Sequence, residues 1–119
     1  MIIVMTKILV MLTTGKENIN TEMVAFNFAV NAVKNANSTV EFLFLGRGVQ
    51  AVNKKQKSAP QFREQIDNLR KASIPVKVCK VSLQGEGLSD EDIFENLDSV
   101  FGAVEVDNRI KEGYSVITF

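Results

Sequence analysis

The chain has 119 residues with one cysteine and no histidine, which excludes histidine-dependent nucleophilic catalysis, an internal disulfide and a multi-cysteine zinc site within the chain. Fourteen basic and fourteen acidic residues give a formal net charge of zero, so no global charge attracts nucleic acid or an anionic membrane. The length predicts a single domain over residues 1–119, and Cys79 is the leading candidate for any covalent chemistry.

The first twelve residues are apolar, but Lys7 interrupts them. A membrane-spanning helix needs about 20 apolar residues. The segment also lacks the basic start and the small-residue cleavage site of a secretory signal. We therefore expect no membrane segment and a cytoplasmic protein, in a reducing compartment that suits a free thiol.

The first half of the chain alternates strand and helix patterns. The continuous apolar run 8–12 predicts a strand buried on both faces, as in a parallel sheet, and residues 20–36 follow a helical period. Residues 40–45 predict the second strand. Because apolar side chains cover most of the first helix, we expect one side to lie on the sheet and another to contact a second subunit.

The chain then predicts a second helix and a third strand. Pro60 is typical of a helix start, where its missing amide costs nothing. The apolar face of this helix consists of Phe62, Ile66 and Leu69. Residues 76–83 predict the third strand, which contains Cys79.

A capping-box pattern follows the third strand. Ser89 and the three acidic residues after it predict the start of another α-helix, with an apolar face made of Ile93, Phe94, Leu97 and Phe101. Residues 103–106 predict a short fourth strand, 107–112 a turn of helix and 114–119 a last strand. Strands that alternate with helices indicate a parallel sheet covered on both faces.

Cys79 has two interpretations on this basis. A thiol in an apolar strand is usually inert packing, but the carboxyl end of a strand is where open α/β sheets bind ligands. Lys77 and Lys80 are candidate modifiers because a nearby ammonium lowers the pKa of a thiol, whereas acidic residues 90–92 would oppose that effect. Ser82 is expected either to orient a substrate or form a hydrogen bond near the thiol, or only to satisfy the backbone at a strand end.

Other polar segments have simpler explanations than a binding site. The turns at 13–15 and 46–48 match no phosphate-binding motif, and the lysines at 54, 55 and 57 suit a solvated loop. Glu86 and the acidic residues 90–92 are expected to favour a helix start rather than to bind a metal. We therefore predict neither a cofactor nor a metal ion.

The residues around Cys79 resemble the cysteine segment of DsrE/DsrF-like proteins. In that segment a Cys-x-x-Ser-Leu stretch precedes a Gly-Leu pair and an acidic helix start, as residues 79–83 precede 87–92 here. The closing segment 113–119, which ends in Phe, and the run at 42–49 are also similar to the family. The resemblance covers essentially the whole chain.

This resemblance implies a three-layer α/β/α Rossmann-like sandwich with a mostly parallel five-stranded sheet, assembled as a homotrimer or homohexamer. It also implies that Cys79 accepts sulfane sulfur as a persulfide or thiosulfonate and passes it to a partner thiol, as a sulfurtransferase would. The partners would be sulfur-donor and sulfur-acceptor proteins or small thiols, with no nucleic acid and no membrane. A lone cysteine cannot release sulfur by closing an internal disulfide, so release needs another molecule's thiol.

Two alternatives remain open at the level of sequence. The chain could be a non-catalytic oligomeric or regulatory α/β subunit in which Cys79 only packs in the core. It could also be a small-ligand-binding module, an assignment that rests on fold analogy alone.

Overall fold

Five parallel strands form one sheet in the computed structural model, which describes residues 5–119. The strands are β1 (Lys7–Leu12), β2 (Thr39–Phe44), β3 (Val76–Cys79), β4 (Asp98–Val100) and β5 (Ser115–Thr118). Their order across the sheet is β4-β3-β2-β1-β5, and every pairing is parallel. The chain therefore builds the sheet outward from β1 in one direction and then returns to add β5 on the other side.

Four α-helices connect these strands, namely α1 (Ile19–Ala36), α2 (Ala59–Lys71), α3 (Lys80–Gly85) and α4 (Gly102–Lys111). The Asn18 side chain caps α1 by accepting a hydrogen bond from the Thr21 backbone amide at 3.1 Å. That helix ends at Asn37, whose φ of 56° is left-handed. Short 3-10 helices occupy Lys16–Asn18, Gly46–Val52 and Asp90–Asp92.

One face of the sheet is covered by α1 and α2 over an aromatic core. The Phe26 ring of α1 stacks on Phe42 of β2, with 5.2 Å between the ring centroids. Phe44 and Phe62 complete the group at 6.0 and 6.3 Å from the Phe26 ring. All four side chains are buried, so this face carries the main apolar contribution to stability.

The opposite face of the sheet carries α4. Side chains alternate between faces along a strand, so Leu9 and Leu43 point away from the aromatic core, and both are fully buried. Lys77 of β3 and Glu41 of β2 reach the helix from the same face. The sheet is thus covered on both faces, and the predicted α/β architecture is confirmed.

The first, second and last strands and the first two helices agree with the sequence predictions to within one or two residues. The third strand was predicted too long, because β3 ends at Cys79 and residues 80–85 form α3. A short apolar run does not distinguish a strand from a helix by periodicity alone. In α3 the Leu83 side chain is buried while Val81 is 60% exposed.

The α-helix predicted after Ser89 is wrong. The capping box between Ser89 and Asp92 exists, but it opens only a 3-10 turn. The chain then runs antiparallel to residues 52–54, where the Phe94 amide donates to the Val52 carbonyl at 3.1 Å. This pairing gives hydrogen-bond partners to the Phe94 N–H and the Asp92 carbonyl, which would otherwise bond within a longer helix.

The strand predicted at 103–106 is also wrong, since these residues lie in α4. In this helix Glu105 is buried and Val104 is 58% exposed. The helix can bury Glu105 because Lys77 of β3 forms an ion pair with it. The helical turn predicted at 107–112 is the second half of the same helix.

Within residues 5–119 no helix is long and apolar enough to cross a membrane. The prediction for the first twelve residues falls partly on Met1–Val4, which lie outside the described residues.

Candidate functional site

Cys79 lies at the carboxyl edge of the parallel sheet, where β3 ends and α3 begins. It is a free thiol and only 5% exposed. Ligand sites of open α/β sheets lie at this edge, outside the carboxyl ends of the strands. The single thiol thus lies at the carboxyl end of β3, the strand between β4 and β2.

Hydrogen-bond donors surround the Cys79 sulfur. Burial raises the pKa of this thiol, but hydrogen bonds outweigh burial and hold the pKa below its ordinary value. The donors, in order of effect, are the Ser82 hydroxyl and the backbone N–H groups of Ser82, Gly102 and Val81. Such donors favour the thiolate because its charge strengthens each hydrogen bond.

Ser82 connects the thiol to the turn after β2. Its Oγ accepts a hydrogen bond from the Gly46 backbone amide at 2.8 Å. A hydroxyl carries one proton, so with a lone pair of Ser82 engaged by Gly46 its O–H is left to donate to the sulfur. Gly46 has a φ of +56°, a conformation that favours glycine. Ser82 therefore lies near the thiol and also binds a backbone amide, so its two expected positions are compatible.

Gly102 brings the first turn of α4 against the thiol. A β-carbon at this position would lie 3.0 Å from Cys79 Sγ and 2.5 Å from Leu45 Cδ1. Glycine is therefore needed for the close approach that points a backbone N–H at the sulfur. Sequence reasoning missed Gly102 because it placed a strand immediately after it. The i, i+4 pair Glu105–Arg109 and the glycine at 113 were the available signals of a helix.

The two candidate lysines differ in their surroundings. Lys77 Nζ lies 3.1 Å from Glu41 and 2.7 Å from Glu105, so two carboxylates balance its charge. Burial lowers the pKa of Lys77, but hydrogen bonds to Glu105 and Glu41 outweigh it and raise the pKa overall. Lys80 is exposed and places Nζ 5.1 Å from the centroid of the Phe101 ring. Lys80 therefore faces solvent beside the thiol, whereas Lys77 belongs to a buried cluster.

The acidic segment at 90–92 serves local structure. Asp92 accepts hydrogen bonds from the backbone amide and hydroxyl of Ser89, and Lys55 Nζ lies 2.6 Å from it. The Lys55 ammonium and the Ser89 donors hold the pKa of Asp92 far below its ordinary value. Across residues 5–119, no three acidic or thiol side chains are grouped to hold a metal ion.

Two surface hollows include neighbours of Cys79 among their lining residues, but Cys79 itself lines neither of them. A cleft of about 520 Å³ at the carboxyl edge is lined by Lys80, Leu83, Gln84, Leu88, Ser89, Asp90 and Ser99. An apolar hollow of about 480 Å³ beside α4 is lined by Met11, Leu45, Gly102, Ala103, Val106, Asp107 and Ile110. The first begins at the residue after Cys79, and the second includes the Leu45 and Gly102 positions that pack beside its sulfur.

Comparison with known proteins identifies a family. The family model described as "DsrE/DsrF-like family" matches residues 6–119, which is nearly the whole chain. The comparison with curated proteins gave no match.

Solved structures share the fold at low sequence identity. The ychN protein from E. coli superposes with a TM-score of 0.77 at 18% identity, over 97% of this chain and 100% of that one. MTH1491 from Methanobacterium thermoautotrophicum, described as a protein of unknown function, gives 0.74 at 14% identity over 96% and 99%. BT1422 from Bacteroides thetaiotaomicron, described in the same way, gives 0.72 at 14% identity over 95% and 94%. These similarities establish the fold.

Proposed function

The chain belongs to the DsrE/DsrF-like family, and from that membership we propose that it is a sulfur carrier whose Cys79 accepts sulfane sulfur and passes it to a partner thiol. The family is associated with sulfur relay. The observation that carries the proposal is the position of a single thiol at the carboxyl edge of the sheet, packed against Gly102, with a pKa that Ser82 and nearby backbone amides lower. This arrangement supports a thiolate, which is the form that attacks a sulfur–sulfur bond.

The transfer balances without an external oxidant. In the first step the Cys79 thiolate attacks the outer sulfur of a donor persulfide, the donor's S–S bond breaks, and the donor leaves as a thiolate. In the second step an acceptor thiolate attacks the outer sulfur on Cys79, and the Cys79 thiolate leaves. The same donors stabilise Cys79 as nucleophile in the first step and as leaving group in the second. With tetrathionate as donor, the Cys79 thiolate attacks an inner sulfur, the central S–S bond breaks, thiosulfate leaves, and Cys79 carries a thiosulfonate group instead.

The neighbours of the thiol have distinct parts in this proposal. Ser82 and Gly102 donate to the sulfur and lower its pKa, which favours the thiolate. Lys80 offers an exposed ammonium at the cleft beside Cys79, which suits an anionic donor such as thiosulfate or a persulfide anion. Lys77 acts at a distance, through the cluster that holds α4.

The proposal requires partners, because one cysteine cannot release sulfur alone. We propose donor and acceptor proteins or small thiols of the cytoplasm as those partners, and assembly of the chain as a homotrimer or homohexamer. The assembly is proposed from the family membership, because a single exposed apolar residue on α1, Val24, does not by itself mark an interface. Light scattering tests the assembly, and a strict monomer would contradict it.

One observation favours a second candidate. Cys79 is only 5% exposed, as a packing residue of a non-catalytic subunit would be. The two candidates differ in the reactivity of the native thiol. A carrier reacts with iodoacetamide in the folded state at a rate near that of the urea-unfolded chain, with Cys79→Ser as the blank. A packing cysteine reacts only after unfolding, and that result would remove the carrier function.

A further inference from the structure

Four charged side chains, two buried and two partly buried, join α4 to the sheet. Glu41 of β2 and Lys77 of β3 meet Glu105 and Arg109 of α4, and the exposed fractions of the four side chains lie between 3% and 19%. Lys77 Nζ lies 2.7 Å from Glu105 and 3.1 Å from Glu41, and Arg109 lies 3.4 Å from Glu41. Two carboxylates and two cations thus form one connected charge cluster.

The charge cluster and the contact of Cys79 with Gly102 both join β3 to α4. Lys77 precedes Cys79 by two residues, so both side chains point to the same face of β3. Glu105 follows Gly102 by three residues, so both lie on the same side of α4. The Lys77–Glu105 pair therefore lies next to the Cys79–Gly102 contact, two residues away along β3 and three residues away along α4.

Apolar packing gives α4 little support toward the edge of the sheet. The hollow of about 480 Å³ separates part of the helix from β1, and its walls include Val106, Ile110 and Met11. Apolar contact is also not directional. The ion pairs are directional, because hydrogen bonds from the Lys77 ammonium need both carboxylates at defined positions.

The cluster is not explained by stability alone. Buried ion pairs stabilise a fold no better than apolar residues of similar volume, because desolvation offsets the attraction. The pKa of Glu41 shows this cost, since burial and the neighbouring Glu105 raise it to about 7 against the effect of Lys77. A cluster of this kind contributes mainly to the placement of the elements that it joins.

We propose that Glu41, Lys77, Glu105 and Arg109 are positioning residues for the sulfur site, because they set the placement of α4 that puts Gly102 against the Cys79 sulfur. The tolerance of that contact is small, since a single β-carbon at Gly102 would already lie 3.0 Å from the sulfur. The inference deepens the proposed sulfur chemistry and rests on it for its biological meaning. Its test measures thiol ionisation and needs no sulfur transfer.

The test compares two double variants of the full chain. Lys77→Met with Glu105→Met removes one positive and one negative charge, and leaves Glu41 paired with Arg109. The net charge is unchanged, so the field at the thiol changes little, while the Lys77–Glu105 link between β3 and α4 is lost. The control is Asp107→Asn with Lys111→Met, an exposed i, i+4 pair on the same helix.

The measurement is the rate of Cys79 alkylation by iodoacetamide as a function of pH. We expect the profile of the Lys77/Glu105 variant to move to higher pH, with roughly tenfold slower alkylation below the wild-type midpoint, as loss of one hydrogen bond to a thiolate implies. The profile of the control should coincide with that of the wild type. The single variant Lys77→Arg keeps the charge and can bond both carboxylates, so it should retain most of the wild-type alkylation rate.

An unchanged profile in the folded Lys77/Glu105 variant would overturn the inference. If that variant does not fold, Glu105→Gln takes its place, since it keeps the side-chain volume and leaves Lys77 paired with Glu41. An unchanged profile in folded Glu105→Gln would overturn the inference equally. Absence of any persulfide on wild-type Cys79 would instead remove the proposed function and leave the alkylation result standing.

Discussion

Replacement of Glu22 by glutamine should stabilise the protein above neutral pH. Glu22 lies in the first turns of α1 and is fully buried. Within the described residues 5–119, neither of its carboxylate oxygens has a hydrogen-bond partner. Burial, with a smaller contribution from Glu17, raises the pKa of Glu22 to about 7. A neutral carboxyl tolerates this site, whereas a carboxylate is strongly disfavoured.

The sign and size of the effect follow from the pKa. The pKa of Glu22 is higher in the fold than its ordinary value of 4.5, so the folded state holds the proton more tightly. The stability that the protonated Glu22 side chain contributes is complete below pH 4.5 and is lost as the pH rises through about 7. At 1.36 kcal/mol per pH unit the full difference is roughly 3 kcal/mol. That is a large part of the roughly 5–15 kcal/mol by which domains are stable.

Urea unfolding at pH 5.5 and pH 8 measures this difference. We expect Glu22→Gln to exceed the wild type by about 1.4 kcal/mol at pH 5.5 and by roughly 3 kcal/mol at pH 8. Comparison of the variant with the wild type cancels the contribution of Glu41, whose pKa is also raised to about 7. Glu64→Gln, on an exposed position of α2, is the matched control. An equal difference between variant and wild type at both pH values would refute the reasoning.

Three further predictions concern the thiol. Ser82→Ala should slow alkylation of Cys79 at neutral pH by roughly tenfold, because a donor to the thiolate is lost, whereas Ser82→Thr should retain most of the rate; equal rates for both variants would contradict the assigned hydrogen bond. Gly102→Ala should shift the pH–rate profile of alkylation in the same direction, because its β-carbon would displace α4, and an unshifted profile would show that the contact is dispensable. Lys80→Met should slow the reaction with the anionic reagent iodoacetate several-fold more than that with neutral iodoacetamide, since only the anion is attracted by the ammonium; an equal effect on both reagents would exclude that role.

The central strands could be predicted from sequence because they are long, apolar and buried on both faces. Residues 8–12 carry that pattern without interruption, residues 40–45 carry it with Glu41 as the one polar position, and β1 and β2 occupy nearly these positions. The region after Cys79 lacks so clear a pattern, since α3 has six residues and β4 has three. Elements this short are defined by their tertiary neighbours rather than by their own periodicity.

The candidate site was predictable only in part. Composition and position identified Cys79, and Ser82 lies three residues away in the same segment. Gly102 and Gly46 reach the site through the packing of distant elements, which no local pattern records. The charge cluster below α4 is hidden for the same reason, because its hydrogen-bonded pairs are 28 and 68 residues apart.

Intact-mass spectrometry of the native protein after exposure to polysulfide tests the central claim most directly. The account predicts an added mass of one or more sulfur atoms on the wild-type chain and none on Cys79→Ser. A small acceptor thiol, added afterwards, should remove the sulfur and restore the original mass. A wild-type chain that gains no sulfur from polysulfide, thiosulfate or tetrathionate, with a thiol that stays unreactive in the folded state, would contradict the account.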